Sequence, residues 1–290
     1  MVTPGTGTYA TPTAVTIADA TPGSVIYYTT NGSTPTAAST AYSGLITLNA
    51  SATVKAVAQA PGDALSAVAS AAFVIQAPAV SYPSGFITQG LKLNGSAALN
   101  ATVLQLTPDV AYKAASAYFT SPVNVQAFIN DFTFQLPLPV SNGITFVLQN
   151  QGLTALGADG GNLGYGSATA GAGIQQSMAI KFDDHNNAGE GIDSTGLYIN
   201  GAAPTIPATD LTPTGLNLNS GNVFHAHMTY DGTTLVVTIT DTVTAATATQ
   251  SYVVNIPSIV GANTAYAGFT AGTGASIAQQ NILTWNFNSQ

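Results

Sequence analysis

The chain has no cysteine, no arginine and a single glutamate, Glu190, among its 290 residues. Disulfides are therefore excluded, as in many chains exported from bacteria. Four lysines face eleven aspartates and that glutamate, leaving a net charge of −8 and a pI near 4.2. Binding to nucleic acid needs a basic footprint for the phosphates, so that class is excluded. Anionic membrane surfaces are disfavoured for the same reason. No run of 18 uninterrupted apolar residues occurs, so no membrane insertion by a helix is predicted. The opening Met-Val-Thr-Pro-Gly-Thr lacks the basic and apolar stretches of a signal peptide, and none is read there. Charged residues make up 6% of the chain, where a soluble domain carries about 25%. Hydroxyls and amides must supply solubility instead, and we read this ion-poor, Thr/Ser/Ala/Gly-rich surface as secreted, extracellular or cell-surface.

Helical periodicity is also missing, and two-residue alternation takes its place. Phe132, Phe134 and Leu136 alternate with Thr133 and Gln135, and Leu235, Val237 and Ile239 follow the same rhythm. A period of two with one apolar face marks antiparallel strands on a core. Turn pairs separate the runs: Asn31-Gly32, Asn94-Gly95, Asn142-Gly143, Asn200-Gly201 and Asp231-Gly232. Many short strands so punctuated predict an all-β chain of sandwiches. Pro78 and Pro83 bracket a short linker. The expected domains are residues 1–77, a small Ig-like β-sandwich of six or seven strands, and residues 78–290, one larger sandwich.

Within the first segment, Val15-Thr16-Ile17, Ile26-Tyr27-Tyr28-Thr29-Thr30-Asn31-Gly32-Ser33-Thr34-Pro35 and Ala52 to Ala58 follow one another. This order resembles the chitobiase/β-hexosaminidase C-terminal-type domain, an Ig-like module common in bacterial secreted proteins. The resemblance implies a spacer or accessory role.

In the second segment, Phe132-Thr133-Phe134 leads to Asn142-Gly143-Ile144-Thr145-Phe146 and Gly160-Gly161-Asn162-Leu163-Gly164. Lys181-Phe182-Asp183 comes next, and Ala267-Gly268-Phe269 with Ile282 to Phe287 closes the series. The series is similar to the legume-type (L-type) lectins, whose fold is a concanavalin-like jelly-roll β-sandwich. The resemblance implies a sugar site built from a carboxylate before a glycine, a glycine loop and a calcium-held asparagine. Those positions fall on Asn142, on Gly160 and Gly161, and on Asn187. Asn142 stands where the family has aspartate, so one neutral acceptor replaces a carboxylate with two.

The resemblance also implies calcium, with Asp183, the His185 carbonyl, Asn187 and either Glu190 or Asp193 as ligands. Four of the chain's twelve acids fall in the eleven residues from 183 to 193. Calcium takes six to eight hard oxygens, which such a loop can offer. The family's transition-metal ligands fall on Lys181 and Ser194, and an ammonium repels a cation, so no manganese-like second metal is expected. From this alignment Asn187→Ala is expected to abolish glycan binding and Lys181→Ala to leave it intact.

Other chemistry is thinly represented. His225 and His227 share one strand face at a spacing that can hold zinc, but no third ligand lies nearby in sequence. They read as two exposed histidines. Paired catalytic carboxylates and a Gly-x-Ser-x-Gly elbow are lacking, so no catalytic residues and no enzyme are expected. Trp285, the single tryptophan, reads as core. The expected function is extracellular binding of glycans or polysaccharide by a calcium-supported protein of bacterial type. The rival is a structural surface, matrix or filament protein that binds copies of itself, since low charge removes repulsion and sheet edges lack guarding lysines.

Overall fold

The computed structural model describes residues 1–290 apart from 11, 12, 49, 77–79, 138–141, 170 and 276. The chain divides into two compact units, Met1–Pro78 and Ala79–Gln290. The boundary expected after residue 77 lies outside the described residues.

The smaller unit holds β1 (Val2–Thr3), β2 (Gly7–Ala10), β3 (Thr13–Ile17), β4 (Val25–Thr29), β5 (Thr40–Ala41), β6 (Ile46–Leu48), β7 (Ala52–Gln59) and β8 (Ala69–Gln76). They form a three-stranded sheet, β1-β3-β6, and a five-stranded sheet, β2-β8-β7-β4-β5. Val15, Ile17, Ile46, Leu48, Val54 and Phe73 pack as their common core. β3 shows the alternation most plainly, with Thr13, Val15 and Ile17 buried and the residues between them exposed. Tyr28 leans on this core and meets Tyr42 edge-on at 6.2 Å.

The larger unit contains β9 (Val80–Tyr82), β10 (Leu91–Gly95), β11 (Ala98–Asn100), β12 (Val103–Thr107), β13 (Lys113–Phe119), β14 (Val123–Asn124), β15 (Phe128–Gln135) and β16 (Gly143–Gln149). After these come β17 (Ser177–Asp183), β18 (Ser194–Ile199), β19 (Thr209–Asp210), β20 (Val223–Tyr230), β21 (Thr234–Asp241), β22 (Thr247–Val253), β23 (Thr264–Thr273) and β24 (Gln280–Ser289). A one-turn helix, Ile256–Val260, follows β22. One sheet runs β10-β13-β23-β16-β17-β18-β19, and the other runs β11-β12-β24-β15-β20-β21-β22. Phe132, Phe134, Phe146, Phe182, Phe224, Phe269, Phe287 and Trp285 interlock between them. Trp285 is fully buried and donates its indole N–H to Asn130 Oδ1 at 2.8 Å.

β16 and β17 are buried along their whole length, which simple alternation does not predict. Met178, Ile180 and Phe182 face the main core. On the opposite face Tyr118, Val147, Ala179 and Tyr198 join Tyr165 and Ile174, from the segment between β16 and β17, in a second cluster. Loops thus roof the outer face of this sheet, and the candidate site is built beneath and beside that roof.

Candidate functional site

Three loops meet at one end of the roofed sheet. The first precedes β16 and carries Asn142, which is buried. Asn142-Gly143 reads as a turn pair, but the physical demand at Gly143 is closeness: a Cβ there would run into the Phe182 carbonyl and the Asp183 backbone. Only glycine lets this strand start press against β17.

The second loop carries a single 3₁₀ turn, Gly160–Asn162, closed by Leu163 N–H donating to the Gly160 carbonyl at 2.9 Å. A Cβ on Gly161 would lie 2.7 Å from the Asn187 amide, so Gly161 is bare because Asn187 packs on it. A Cβ on Gly274, just after β23, would lie 3.3 Å from Asn142 Nδ2 and 3.7 Å from the Gly160 Cα. Asn142, Gly160, Gly161 and Asn187, separated by up to 45 positions in sequence, are therefore brought together. Gly274 belongs to the same group, and sequence reasoning missed it. Its position after the Ala267-Gly268-Phe269 strand was the available signal.

The third loop joins β17 to β18 and contains the acid cluster. Asp183 is fully buried at the end of β17, where Oδ1 accepts from His185 N–H at 3.0 Å and Oδ2 from Lys181 Nζ at 3.1 Å. Burial pushes its carboxyl up to about 7, against the lowering pull of Lys181 and the His185 N–H. Glu190 Oε2 accepts from Ala188 N–H at 2.5 Å, while Oε1 is buried without a hydrogen bond, 3.7 Å from Lys181 Nζ. Desolvation raises the Glu190 carboxyl, but backbone N–H donors and Lys181 outweigh it and hold it below the ordinary range. Asn187 is exposed and leans toward the His185 carbonyl, with Nδ2 at 3.4 Å.

Asp193 points elsewhere. Its Oδ1 accepts from Leu218 N–H at 2.7 Å, and it lines a cleft of about 360 Å³ with Asp184, His185, Asn186, Ile192, Asn217 and Asn219. Of the two acids left open as the last ligand, Glu190 is the one that shares a partner with Asp183.

The residues can be tested against the two cations. Among the described residues no three His, Asp or Glu side chains form a preformed metal cage. A calcium site needs only hard oxygens, and two carboxylates, an amide and a carbonyl lie along this loop, with Glu190 Oε1 buried and unbonded. Calcium fits the donor set. A transition metal does not: Lys181 Nζ is fully buried between the carboxylates, and Ser194 Oγ, paired across from Asp183, is a poor ligand.

The histidine pair gained an unforeseen neighbour. β15 and β20 place Asp131 opposite His227, and its Oδ1 lies 3.1 Å from His225 Nε2 and 2.7 Å from His227 Nδ1. The three groups satisfy one another across strands, a relation invisible in linear sequence.

Comparison with known proteins agrees with this architecture. The legume lectin domain matches residues 81–290, and the chitobiase/beta-hexosaminidase C-terminal domain matches residues 4–70. A lectin of Pisum sativum is 25% identical over 70% of this chain and 79% of its own length. The L-type lectin-domain containing receptor kinase VIII.2 of Arabidopsis thaliana is 26% identical over 73% of this chain, which spans only 32% of that relative. Among solved structures, the Bauhinia forficata lectin in complex with GalNAc superposes with a TM-score of 0.62 at 21% identity, covering 73% of this chain and 98% of its own. Arcelin-5, a lectin-like defense protein from Phaseolus vulgaris, gives 0.62 at 17% over the same shares. The chain belongs to the legume lectin family, with a chitobiase/β-hexosaminidase C-terminal domain preceding its lectin domain.

Proposed function

We propose that this chain is an extracellular, bacterial-type carbohydrate-binding protein, not an enzyme, whose sugar site is organised by a single calcium ion. The observation that carries the reading is the meeting of Asn142, Gly160, Gly161 and Asn187 from three separate loops. Asn142 offers one carbonyl oxygen and two N–H donors to sugar hydroxyls, the Gly160-Gly161 segment offers backbone groups with no side chain of its own, and Asn187, packed on Gly161, offers a second amide. The sugar seen with the Bauhinia forficata lectin supports a glycan for this chain.

Asp183, the His185 carbonyl, Asn187 and Glu190 would hold the calcium. The ion would offset the carboxylate charge gathered there and fix the Asn187 amide. The Asn187 side chain packs on Gly161 and its Nδ2 lies 3.4 Å from the His185 carbonyl, within reach of the proposed ion. The N-terminal domain serves as the spacer that presents the lectin domain, and glycan or polysaccharide outside the cell is the partner.

A glycan array in calcium buffer, repeated with EDTA, tests the reading. Calcium-dependent binding to a defined sugar, lost in Asn187→Ala, is expected. Unchanged binding by Asn187→Ala would sink the assigned site. A blank array together with ordered assembly in light scattering would favour a self-associating structural protein.

A further inference from the structure

Lys181 is among the largest fully buried side chains in the molecule, in a chain with only four lysines. Burying an ammonium is costly unless every donor finds a partner. Here Nζ donates to Asp183 Oδ2 at 3.1 Å and to the Thr205 carbonyl at 3.1 Å, lies 3.7 Å from Glu190 Oε1 and stands 5.8 Å over the Tyr198 ring. Tyr198 itself donates to the Thr205 and Pro207 carbonyls at 2.6 and 2.8 Å. One side chain from β17 thus ties its own strand end, the loop of Glu190 and the 200–208 loop together.

We infer that the Lys181 ammonium is the built-in second cation of this lectin, holding Asp183 and Glu190 in place without a transition metal and leaving the loop to take one divalent ion only. The electrostatics agree. The ammonium offsets negative charge on the two carboxylates it touches, Asp183 and Glu190, and repels a second cation from the space between them. The register agrees as well: Ser194 lies directly across from Asp183, fully buried with its Oγ unbonded, so that wall offers no imidazole or carboxylate. Lys181→Ala, expected from the alignment to leave glycan binding intact, would strand two buried carboxylates.

The inference concerns the same loop as the calcium reading and rests on it for the ion, so its first test is run in EDTA, where calcium and sugar play no part, and the metal tests follow after EDTA is removed. Hydrogen exchange on the full chain should show the His185 and Ala188 amides, which donate to Asp183 and Glu190, protected in the native protein. Lys181→Met should lower that protection by at least about ten-fold while amides of β24 keep theirs. The double variant Lys181→Glu with Ser194→His should regain protection on adding Mn²⁺, to which the native chain is indifferent. Metal content after dialysis against Ca²⁺ and Mn²⁺ together should show no manganese in the native protein, and this measurement decides alone should Lys181→Met not fold. Unchanged protection in Lys181→Met, or manganese retained beside calcium in the native chain, overturns the inference. Binding of no divalent ion at all would overturn the calcium reading and the one-ion part of this inference, while protection measured in EDTA still decides whether Lys181 holds Asp183 and Glu190.

Discussion

Asn142 and Gly161 show how single atoms set the strength of the proposed site. Asn142 presents a neutral amide where a carboxylate would give charge-assisted bonds to two hydroxyls. Asn142→Asp should therefore tighten sugar binding by about 1 kcal/mol, seen in a titration with the best array glycan. The same change should lower the thermal stability of the free chain, because Asn142 is buried and would carry a charge there. Tighter binding without that loss would mean that residue 142 is open to solvent. At Gly161 a methyl group would sit 2.7 Å from the Asn187 amide. Gly161→Ala should displace Asn187 and abolish binding while leaving the melting temperature within a few degrees. An alanine variant that still binds would place the sugar elsewhere.

At the scale of elements, the β21–β22 hairpin is the clearest case of a local device. Asp241 is buried at the end of β21, where the turn begins, and accepts from Val243 N–H at 2.8 Å, Thr244 N–H at 3.2 Å and Asn222 Nδ2 at 2.9 Å. Burial raises the carboxyl, but these donors outweigh it and hold it below its ordinary value of 3.8. A group depressed on folding adds stability above its unfolded pKa, and that stability is lost as pH falls through the folded value. Asp241→Asn should cost about 1 kcal/mol at neutral pH, measured by urea unfolding, with the gap to the native chain closing below the ordinary carboxylate range. A gap that persists there would assign the loss to packing. β16 and β17 teach a different lesson about elements. Their outward residues read as solvent-facing by alternation, yet Lys181 and Asp183 are sealed beneath the roof.

The whole molecule carries two separate cores, one around Val15 and Phe73 and one around Phe132 and Trp285. Because Trp285 is the only tryptophan and is buried in the larger unit, its fluorescence follows that unit alone. Phe73→Ala should remove about 3–5 kcal/mol from the smaller unit and lower one calorimetric transition. The fluorescence midpoint should stay where it was. A midpoint that moves equally would show the two units unfolding as one.

Much of this was legible in the sequence, for a physical reason. Alternation such as Phe132, Phe134 and Leu136 is a strand's own geometry written in residue type, so the all-β class and the sandwich follow from it. The order of Asn142-Gly143, Gly160-Gly161 and Asp183 to Asp193 carried the family and its candidate site residues. What the sequence left undetermined is whatever depends on partners distant along the chain. Asp131 meets His225 and His227 only because β15 and β20 pair in that register. Gly143 is required by the proximity of Phe182 as well as by its positive φ. Asp193 turns to Leu218, whereas Glu190 turns to Lys181. Above all, the sequence reads Lys181 only as a residue that repels a second metal, without the carboxylates it holds. Only the tertiary roof over β17 excludes water from it, and the low dielectric there turns that charge into the cation around which the carboxylates gather.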